Sequence, residues 1–381
     1  MNEDCAEIAC EYIQSAHRRV HDMEPSGRDT LEAPSLDDFS QMLGEQAVSC
    51  TPLGENWRNR VYRVQFAGGR VAIAKQLLVA TDEMLERQYT QHADLAKLAI
   101  PKLKVPQALA ILPSKRTYLM EPAPGKTIEA LIGGGSDEVL LGACTLAGEI
   151  LAQMQLSQTE RSCPLPVEAL ARDFGTAPWR LSAQQQQTLT SALEKLAPSQ
   201  VNIGRIYYDF KPANTLFHHN VLYLIDPPDM LREGIHLWDF GLFRSSMRRH
   251  LWRFTVRFPL RRRRRAAICR GMEAFQQAYV TTLGGDIPKS FGAIVWLLEL
   301  QRTAVLMTMQ QGKVTITGER KGTGHSLGHP LANRVSLPLL NVEKQWLFQQ
   351  LARELKRTAA NALAAGEVVL CLSAVAASFC A

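Results

Sequence analysis

The chain has 381 residues, of which 46% are hydrophobic and 21% charged, and its net charge at pH 7 is +6. This composition is typical of a soluble globular protein and excludes a disordered or collagen-like chain, and the length predicts about two or three domains. Its eight cysteines form no C-x-x-C pair, and charges interrupt residues 1–25, so we expect free thiols, no secretory signal and a cytoplasmic protein. The C-terminal apolar run at 368–381 is shorter than the roughly 18 residues of a membrane span, and we expect a buried helix there.

Residues 1–35 are predicted to form an N-terminal helical appendage and linker, followed by a β-rich region over 36–121. The Gly68-Gly69 pair is typical of a hairpin turn between two strands. The patterns predict strands at 47–53, 61–66, 71–76, 105–112 and 116–120, with a helix over 81–98 between the third and fourth.

Residues 122–136 contain two prolines and four glycines, which indicates a hinge or linker between two bodies. Beyond it, residues 137–381 show mostly helical periodicity. We therefore predict an α+β chain with a small β-rich N-lobe and a larger, mostly helical C-lobe.

The stretch Ile206–Asp229 carries the strongest chemical signal. Asp209 and Asn214 are five residues apart in a loop, and Asp226 follows twelve residues later, at the end of an apolar strand. A tight loop followed by a strand can direct all three side chains into one volume. Two carboxylates and an amide oxygen suit a hard cation such as Mg²⁺, and a carboxylate free of the metal can accept a proton.

Together with three earlier pieces, this stretch resembles the protein-kinase-like superfamily, most closely aminoglycoside phosphotransferase-like and sugar or lipopolysaccharide kinase-like proteins. The earlier pieces are Val71–Lys75, a helix carrying Glu86, and Tyr118–Gly125, and the resemblance covers roughly 45–245. It implies a bilobal kinase-like fold, ATP and Mg²⁺ as cofactors, and phosphoryl transfer to a hydroxyl of a small-molecule, sugar or glycolipid acceptor.

The resemblance also implies roles for individual residues. Asp209 matches the catalytic base, and Asn214 and Asp226 match the metal ligands. Lys75 would bind the α- and β-phosphates. Lys211 is interpreted either as a catalytic contact to the transferred phosphate or as a solvated loop lysine.

In the predicted N-lobe, Glu86 would orient Lys75, and Glu83, one turn earlier, is a competitor. The backbone from Glu121 to Ala123 would bind the adenine edge. The turn over the phosphates, which holds one glycine rather than three, would contribute backbone amides and Asn56 or Arg58.

Two further departures from the family pattern concern the catalytic segment. Tyr207 stands where a histidine is usual, and Pro227-Pro228 follow Asp226 and predict a rigid segment. The sequence Asp239-Phe240-Gly241 matches the protein-kinase metal motif, but we interpret Asp239 as a helix N-cap that braces the catalytic loop, not as a metal ligand.

The segment 244–270 contains eleven arginines and no acidic residue, and without those eleven charges the chain would carry −5. Apolar and aromatic residues alternate with the arginines. Such a pattern fits a basic surface helix over the core, an anionic membrane or phosphorylated glycolipid, a polyanionic acceptor, or nucleic acid. Tyr207 and the arginine run suggest the alternative function, a catalytically weak kinase-like scaffold that binds anionic membrane or nucleic acid.

Overall fold

The computed structural model describes residues 31–55, 59–78, 80–207, 209–226, 232–284, 290–319 and 329–364. Several predictions lie outside these residues: most of the N-terminal appendage, the turn at Asn56 and Arg58, Pro227-Pro228 and the C-terminal apolar run.

A five-stranded antiparallel sheet dominates the N-terminal region, with strand order β1-β2-β3-β6-β5. Strands β2 and β3 form the predicted hairpin, in which the Gly69 amide donates to the Phe66 carbonyl at 2.9 Å. The elements are α1 (Leu36–Leu43), β1 (Ala47–Glu55), β2 (Asn59–Phe66), β3 (Val71–Leu77), α2 (Asp82–Leu95), β4 (Leu103–Lys104), β5 (Ala108–Leu112) and β6 (Thr117–Met120). Helix α1 packs its buried Phe39 into the apolar core of this sheet.

The described C-terminal part is mostly helical and contributes to two small sheets: one is ordered β12-β9-β8, and the other, ordered β4-β11-β10-β7, takes its edge strand β4 from the N-terminal region. Its elements are β7 (Lys126–Thr127), α3 (Ile128–Gly134), α4 (Asp137–Gln158), β8 (Thr159–Pro164), α5 (Val167–Thr176), α6 (Ala183–Leu196), β9 (Gln200–Ile206), β10 (Thr215–His218), β11 (Val221–Leu224), β12 (Arg232–Ile235), α7 (Leu237–Arg257), α8 (Arg262–Leu283), α9 (Phe291–Glu319) and α10 (His329–Ala364).

Two glycines allow close approaches that position the site. A Cβ at Gly148 on α4 would lie 2.2 Å from the Phe275 carbonyl oxygen on α8, so only glycine permits this helix crossing. A Cβ at Gly125, where φ is +99°, would lie 2.3 Å from the Phe217 carbonyl oxygen. The predicted hinge therefore packs directly against β10, which follows the catalytic loop.

Contacts divide the described residues into two compact units. The first contains the chain up to Cys163 together with Gln200 to Gly284, and the second contains Pro164–Ser199 together with the described chain from Ser290 onward. Every predicted site residue that is described lies in the first unit. The predicted boundaries at 36, 122 and 137 stay predictions.

Two described helices, Asp137–Gln158 and Phe291–Thr308, are long and apolar enough to cross a membrane by composition alone. However, 61% and 67% of their most apolar windows are buried inside the protein. Core helices pass the same test, so this composition is weak evidence for a membrane span.

Candidate active site

The loop between β9 and β10 brings three predicted site residues into contact. The Lys211 ammonium lies 2.8 and 2.7 Å from the two carboxylate oxygens of Asp209. The side-chain amide of Asn214 donates to the same carboxylate at 2.8 Å and to the Asp209 backbone carbonyl at 3.1 Å. The Asp209 side chain is 29% exposed. The carboxylate is thus held from two sides and is still accessible to a substrate hydroxyl.

Backbone hydrogen bonds hold Asp226 next to this loop. Strands β10 and β11 pair with Thr215 opposite Leu224, and the Ile225 amide donates to the Asn214 carbonyl at 3.0 Å. Asp226 follows directly with a φ of +61°. This left-handed conformation is costly for a residue other than glycine, and such strain is concentrated at functional sites.

Lys75 on β3 forms an ion pair with the Asp226 carboxylate. Lys75 is 4% exposed, and its ammonium lies 5.9 Å from the ring centroid of Tyr118, its cross-strand neighbour on β6. Burial lowers the pKa of Lys75, but the negative charge of Asp226 and the contact with Tyr118 outweigh burial, so the pKa is raised overall. Lys75 therefore stays charged at neutral pH.

Helix α2 does not present the predicted glutamate to Lys75. Glu86 is exposed, and so is its competitor Glu83. The residues that α2 buries are Leu85, Gln88, His92 and Leu95. These four residues have the spacing of the side of a helix that faces the core. Glu86 directly follows Leu85 in the sequence and therefore lies off that side. This corrects the predicted Glu86–Lys75 pairing: within the described ranges, the carboxylate paired with Lys75 belongs to Asp226.

His92 and Tyr118 were not identified from the sequence as site residues. Both are fully buried, and their rings meet edge to face with centroids 6.0 Å apart. Burial, and then the positive charge of Lys75, lowers the pKa of His92 to about 4. The sequence signal that could have identified His92 as a buried residue is its helical spacing from Leu85 and Leu95. Two neutral rings, Tyr118 next to Lys75 and His92 next to Tyr118, therefore take the place of the predicted glutamate.

We expect the stability of the protein to fall on acidification, partly because of His92. Its pKa is about 4 when folded and 6.5 in the reference state, so the unfolded chain binds the proton first and the free energy of unfolding decreases as the pH falls through this window. The maximal slope is about 1.4 kcal/mol per pH unit for each such group. Burial lowers the pKa of His236 to about 4 in the same way.

Urea unfolding between pH 7 and 4.5 of the wild type, His92→Gln and His236→Gln measures these slopes. Each variant should lose the part of the pH dependence of the unfolding free energy that comes from the replaced histidine. The part that comes from the other histidine should remain. If both variants keep the full wild-type slope, the histidines are not buried in the neutral form.

Tyr207 and Asp239 support the catalytic loop from the protein interior. The Tyr207 amide donates to the Asp239 carboxylate at 2.7 Å. The Tyr207 hydroxyl donates to the Ile225 carbonyl at 3.0 Å. Burial, and then the carboxylates around it, raise the pKa of Tyr207, so the phenol stays protonated and can donate. Tyr207 therefore ties the loop to the residue before Asp226.

The structure corrects one detail of the predicted role of Asp239. Helix α7 begins after the N-cap His236, so Asp239 lies in the first turn and is not the cap. Its contact with the Tyr207 amide agrees with the predicted bracing role. Asp239 is 1% exposed, and an aspartate so deeply buried is poorly placed to meet a nucleotide-bound metal.

The predicted hinge follows β6 directly. The Glu121 amide donates to the Gln107 carbonyl at 2.9 Å, and the Glu121 carboxylate accepts from the Gln107 amide at 3.2 Å. The Glu121 amide is therefore used inside the protein, which leaves the Glu121 carbonyl and the half-buried Ala123 as the hinge groups for an external partner. Asn56 lies outside the described residues.

The oxygens of the site fit a hard divalent cation. The Asp226 side chain is 38% exposed. Asn214 directs its amide nitrogen at Asp209, and no donor from the described part of the chain is directed at its side-chain oxygen. Within that part, no group of three or more Cys, His, Asp or Glu could hold a metal. A cation here would therefore complete its shell with oxygens from another source, and Mg²⁺ commonly uses phosphates in this way.

The chain matches the model of the phosphotransferase enzyme family over residues 49–277, more than half of its length. A choline/ethanolamine kinase family protein from Mesorhizobium loti is similar in structure, with 13% identity and a TM-score of 0.54, covering 91% of this chain and 99% of that one. A macrolide 2′-phosphotransferase from Brachybacterium faecium has 15% identity and a TM-score of 0.49, covering 79% and 100%. The comparison with curated proteins found no match.

At 13% identity, the likeness to the Mesorhizobium loti structure shows the fold alone, and it confirms the predicted α+β kinase-like fold. The family match confirms the predicted resemblance, and its range includes the lysine strand, the hinge and the catalytic loop. Since the matched region contains the whole candidate site, we conclude that this chain belongs to the phosphotransferase enzyme family and is a kinase.

Proposed function

We propose that the protein transfers the γ-phosphate of ATP to a hydroxyl group of a small-molecule, sugar or glycolipid acceptor. The proposal rests on the proximity of two groups of polar side chains. One group is Asp209, Lys211 and Asn214, and the other is the Lys75–Asp226 ion pair. The Ile225 amide, which directly precedes Asp226, donates to the Asn214 carbonyl and so joins the two groups. Such an arrangement suits phosphoryl transfer, because its catalysis depends on positioning and on compensation of charge rather than on covalent steps by the protein.

Asp209 is the proposed base. An acceptor hydroxyl that reaches its exposed oxygen is oriented for attack on phosphorus and gives up its proton to the carboxylate. Lys211 lies next to both oxygens of Asp209. In that position its ammonium can also contact the phosphate being transferred, which is the catalytic interpretation of Lys211.

Lys75 is proposed to bind the α- and β-phosphates, and Asn214 and Asp226 would hold Mg²⁺. The bound cation would supply positive charge that offsets the charge of the phosphates. Nucleotide binding would replace part of the Lys75–Asp226 contact with contacts to phosphate oxygens. Buried Tyr118 and His92 would keep Lys75 in position during this exchange, in the role predicted for Glu86.

The adenine edge is proposed to bind at the hinge. The Glu121 carbonyl can accept from the base, and the Ala123 amide can donate to it, which together form a two-point contact. Asn56 or Arg58 would cover the phosphates, as the sequence predicts.

For the acceptor we propose a neutral or anionic hydroxyl compound, such as a sugar or a phosphorylated glycolipid. The exposed arginines that follow α7 give the chain a cationic surface in the same compact unit as the catalytic loop. This surface is distant from the catalytic loop and acts through the field of the whole protein: at a net charge of +6, the approach of a polycationic aminoglycoside is less favourable than that of a neutral sugar.

The alternative, a catalytically weak scaffold, was suggested by Tyr207 and by the arginine run. Tyr207 is hydrogen-bonded on both sides of the catalytic loop, so its presence instead of histidine does not indicate an inactive site. The arginine run is compatible with either function.

Mg²⁺-ATP is expected to stabilise the protein by about 2.7 kcal/mol at a hundredfold excess over Kd, because only the folded site binds it. Thermal unfolding with ATP, with and without Mg²⁺, measures this. Asp226→Asn should lose most of the Mg²⁺-dependent shift relative to its own ligand-free melting temperature, whereas Asp239→Asn should retain the shift on a less stable protein. An unchanged wild-type melting temperature at millimolar Mg²⁺-ATP would contradict the proposed function.

A further inference from the structure

The structure divides the arginine run into two sets with different surroundings. Arg244 and Arg248 on α7 are 4% and 2% exposed, and their guanidinium groups lie 5.7 Å from the ring centroids of Phe240 and Trp252. These two arginines belong to the core of the first unit, so they cannot form a docking surface.

Arg264 also has an internal role. Its guanidinium group donates to the carbonyls of Leu131 and Ile132 at the end of α3, and it pairs with Asp137 at 2.7 Å. The contact supplies a donor to the Ile132 carbonyl, in the last turn of α3, and a second donor to the Leu131 carbonyl, which also accepts from the Gly135 amide at 2.9 Å. Replacing Arg264 would therefore alter the fold as well as the surface charge.

Four exposed arginines lie where α7 ends and α8 begins, in a segment that we call the docking turn, residues 256–263: Arg257, Arg261, Arg262 and Arg263. Val256 and Leu260 are 81% and 92% exposed. Arg257 and Arg261 place their guanidinium groups 5.3 and 4.9 Å from the ring centroid of Phe258. The docking turn thus combines two exposed aliphatic side chains with an aromatic ring that has an arginine on each side of it in the sequence.

One of the four arginines of the docking turn, Arg263, pairs with Asp137 at 3.9 Å. No carboxylate in the described ranges pairs with Arg257, Arg261 or Arg262. Helix α8 begins with four arginines, has no acidic residue in its first turn and receives no side-chain cap from Arg261. A helix N-terminus already carries partial positive charge, so these cations repel it, and external anions would relieve the repulsion.

We propose that the docking turn binds an anionic lipid bilayer, with Leu260 and Val256 entering the interface and the surrounding arginines contacting lipid phosphates. Membrane-surface segments combine basic and apolar side chains in this way, and each arginine near the surface strengthens binding about fivefold. Nucleic acid would interact favourably with the arginine charges but would not bury the two exposed aliphatic side chains. A bilayer accounts for both features of the turn.

The docking turn is separate from the catalytic loop. Asp239 contacts that loop, and Arg257 lies 18 residues further along α7, which the helical rise of 1.5 Å converts to about 27 Å along the axis. Membrane binding can therefore be tested without nucleotide, and its failure would leave the proposed phosphoryl transfer untouched. A kinase attached in this way would meet its acceptor at the inner face of the membrane.

The experiment is co-sedimentation of the full chain with vesicles of phosphatidylcholine alone or of phosphatidylcholine rich in phosphatidylglycerol. The wild type should bind only the anionic vesicles and should be released by salt, as the Debye length falls from about 10 Å at 0.1 M to about 3 Å at 1 M. The triple variant Arg257→Gln, Arg261→Gln, Arg262→Gln should bind about a hundredfold more weakly. All three residues are exposed, so its melting temperature should match the wild type.

A matched control removes the same charge from elsewhere on the first unit. Arg63, Arg87 and Lys104 are exposed, and their triple replacement by glutamine should leave vesicle binding within about threefold of the wild type. Equal losses in the two triple variants would overturn the proposal, because they would show that only net charge matters.

Leu260→Ser tests the apolar part at constant charge, and we expect it to weaken vesicle binding about fivefold to tenfold. Duplex DNA is the competing partner. DNA binding that is lost in the Arg257, Arg261, Arg262 variant, together with full vesicle binding by Leu260→Ser, would assign the turn to nucleic acid instead. Failure of the wild type to bind anionic vesicles would also overturn the proposal.

Discussion

Asp209→Asn is expected to lower kcat by about 10²–10⁴-fold, the range that a general base contributes. The asparagine keeps the shape of the side chain but cannot take up the acceptor proton. The affinity for Mg²⁺-ATP should change little, because the proposed nucleotide contacts come from other residues. ADP release with a sugar acceptor, and the slow hydrolysis of ATP by water, are the two activities to measure.

The control for this variant is Asp94→Asn on α2, which removes an exposed carboxylate whose ion-pair partner, among the residues that the structure describes, is Lys97. It should leave kcat and the Mg²⁺-ATP thermal shift unchanged. If Asp209→Asn retains kcat within tenfold of the wild type, a different residue is the base, even though the thermal shift would still support nucleotide binding.

Asp226→Asn is expected to have a second large effect, because it leaves the buried Lys75 ammonium without its carboxylate. Breaking a fully buried ion pair costs about 3–5 kcal/mol. Asp226 is 38% exposed, so solvent screening reduces the expected loss to about 1–3 kcal/mol of unfolding free energy. Lys75→Met should cost less, since it removes the buried charge and keeps an apolar chain of similar length.

A double-mutant cycle isolates the ion pair. The variant with both Lys75→Met and Asp226→Asn should be more stable than Asp226→Asn alone, because no unpaired ammonium remains. Both single variants should also lose most of the phosphoryl transfer activity. Additive losses of stability in the urea unfolding of all four proteins would show that the two side chains do not interact in solution.

Local sequence was sufficient to predict that Asp209 and Asn214 lie side by side in one loop. Asp209 and Asn214 are five residues apart, and a loop of that length between two strands leaves few ways to separate their side chains. The same holds for the hairpin at Gly68-Gly69, where neighbouring strands pair through a short turn. The sequence could also predict that Asp226 lies close by, because β10 and β11 pair directly before it.

The partners of buried side chains could not be predicted in this way. Glu86 and His92 both lie on α2, but the rotation of that helix against the sheet exposes the glutamate and buries the histidine. Asp239 contacts Tyr207, which is 32 residues earlier in the chain. Contacts of this kind depend on how elements pack, and packing is not encoded in spacing.

The sequence alone thus determined the class of fold, the proximity of Asp209, Lys211 and Asn214, and the unusual charge of the segment 244–270. Only the tertiary structure decided that Lys75 pairs with Asp226, and which arginines lie inside the protein. The physical reason is that spacing constrains residues close together in the chain, whereas burial sets the partner and the energy of a charge. Arg264 and Arg261 show this directly: they are three residues apart, but one pairs with Asp137 and the other lies on an exposed turn.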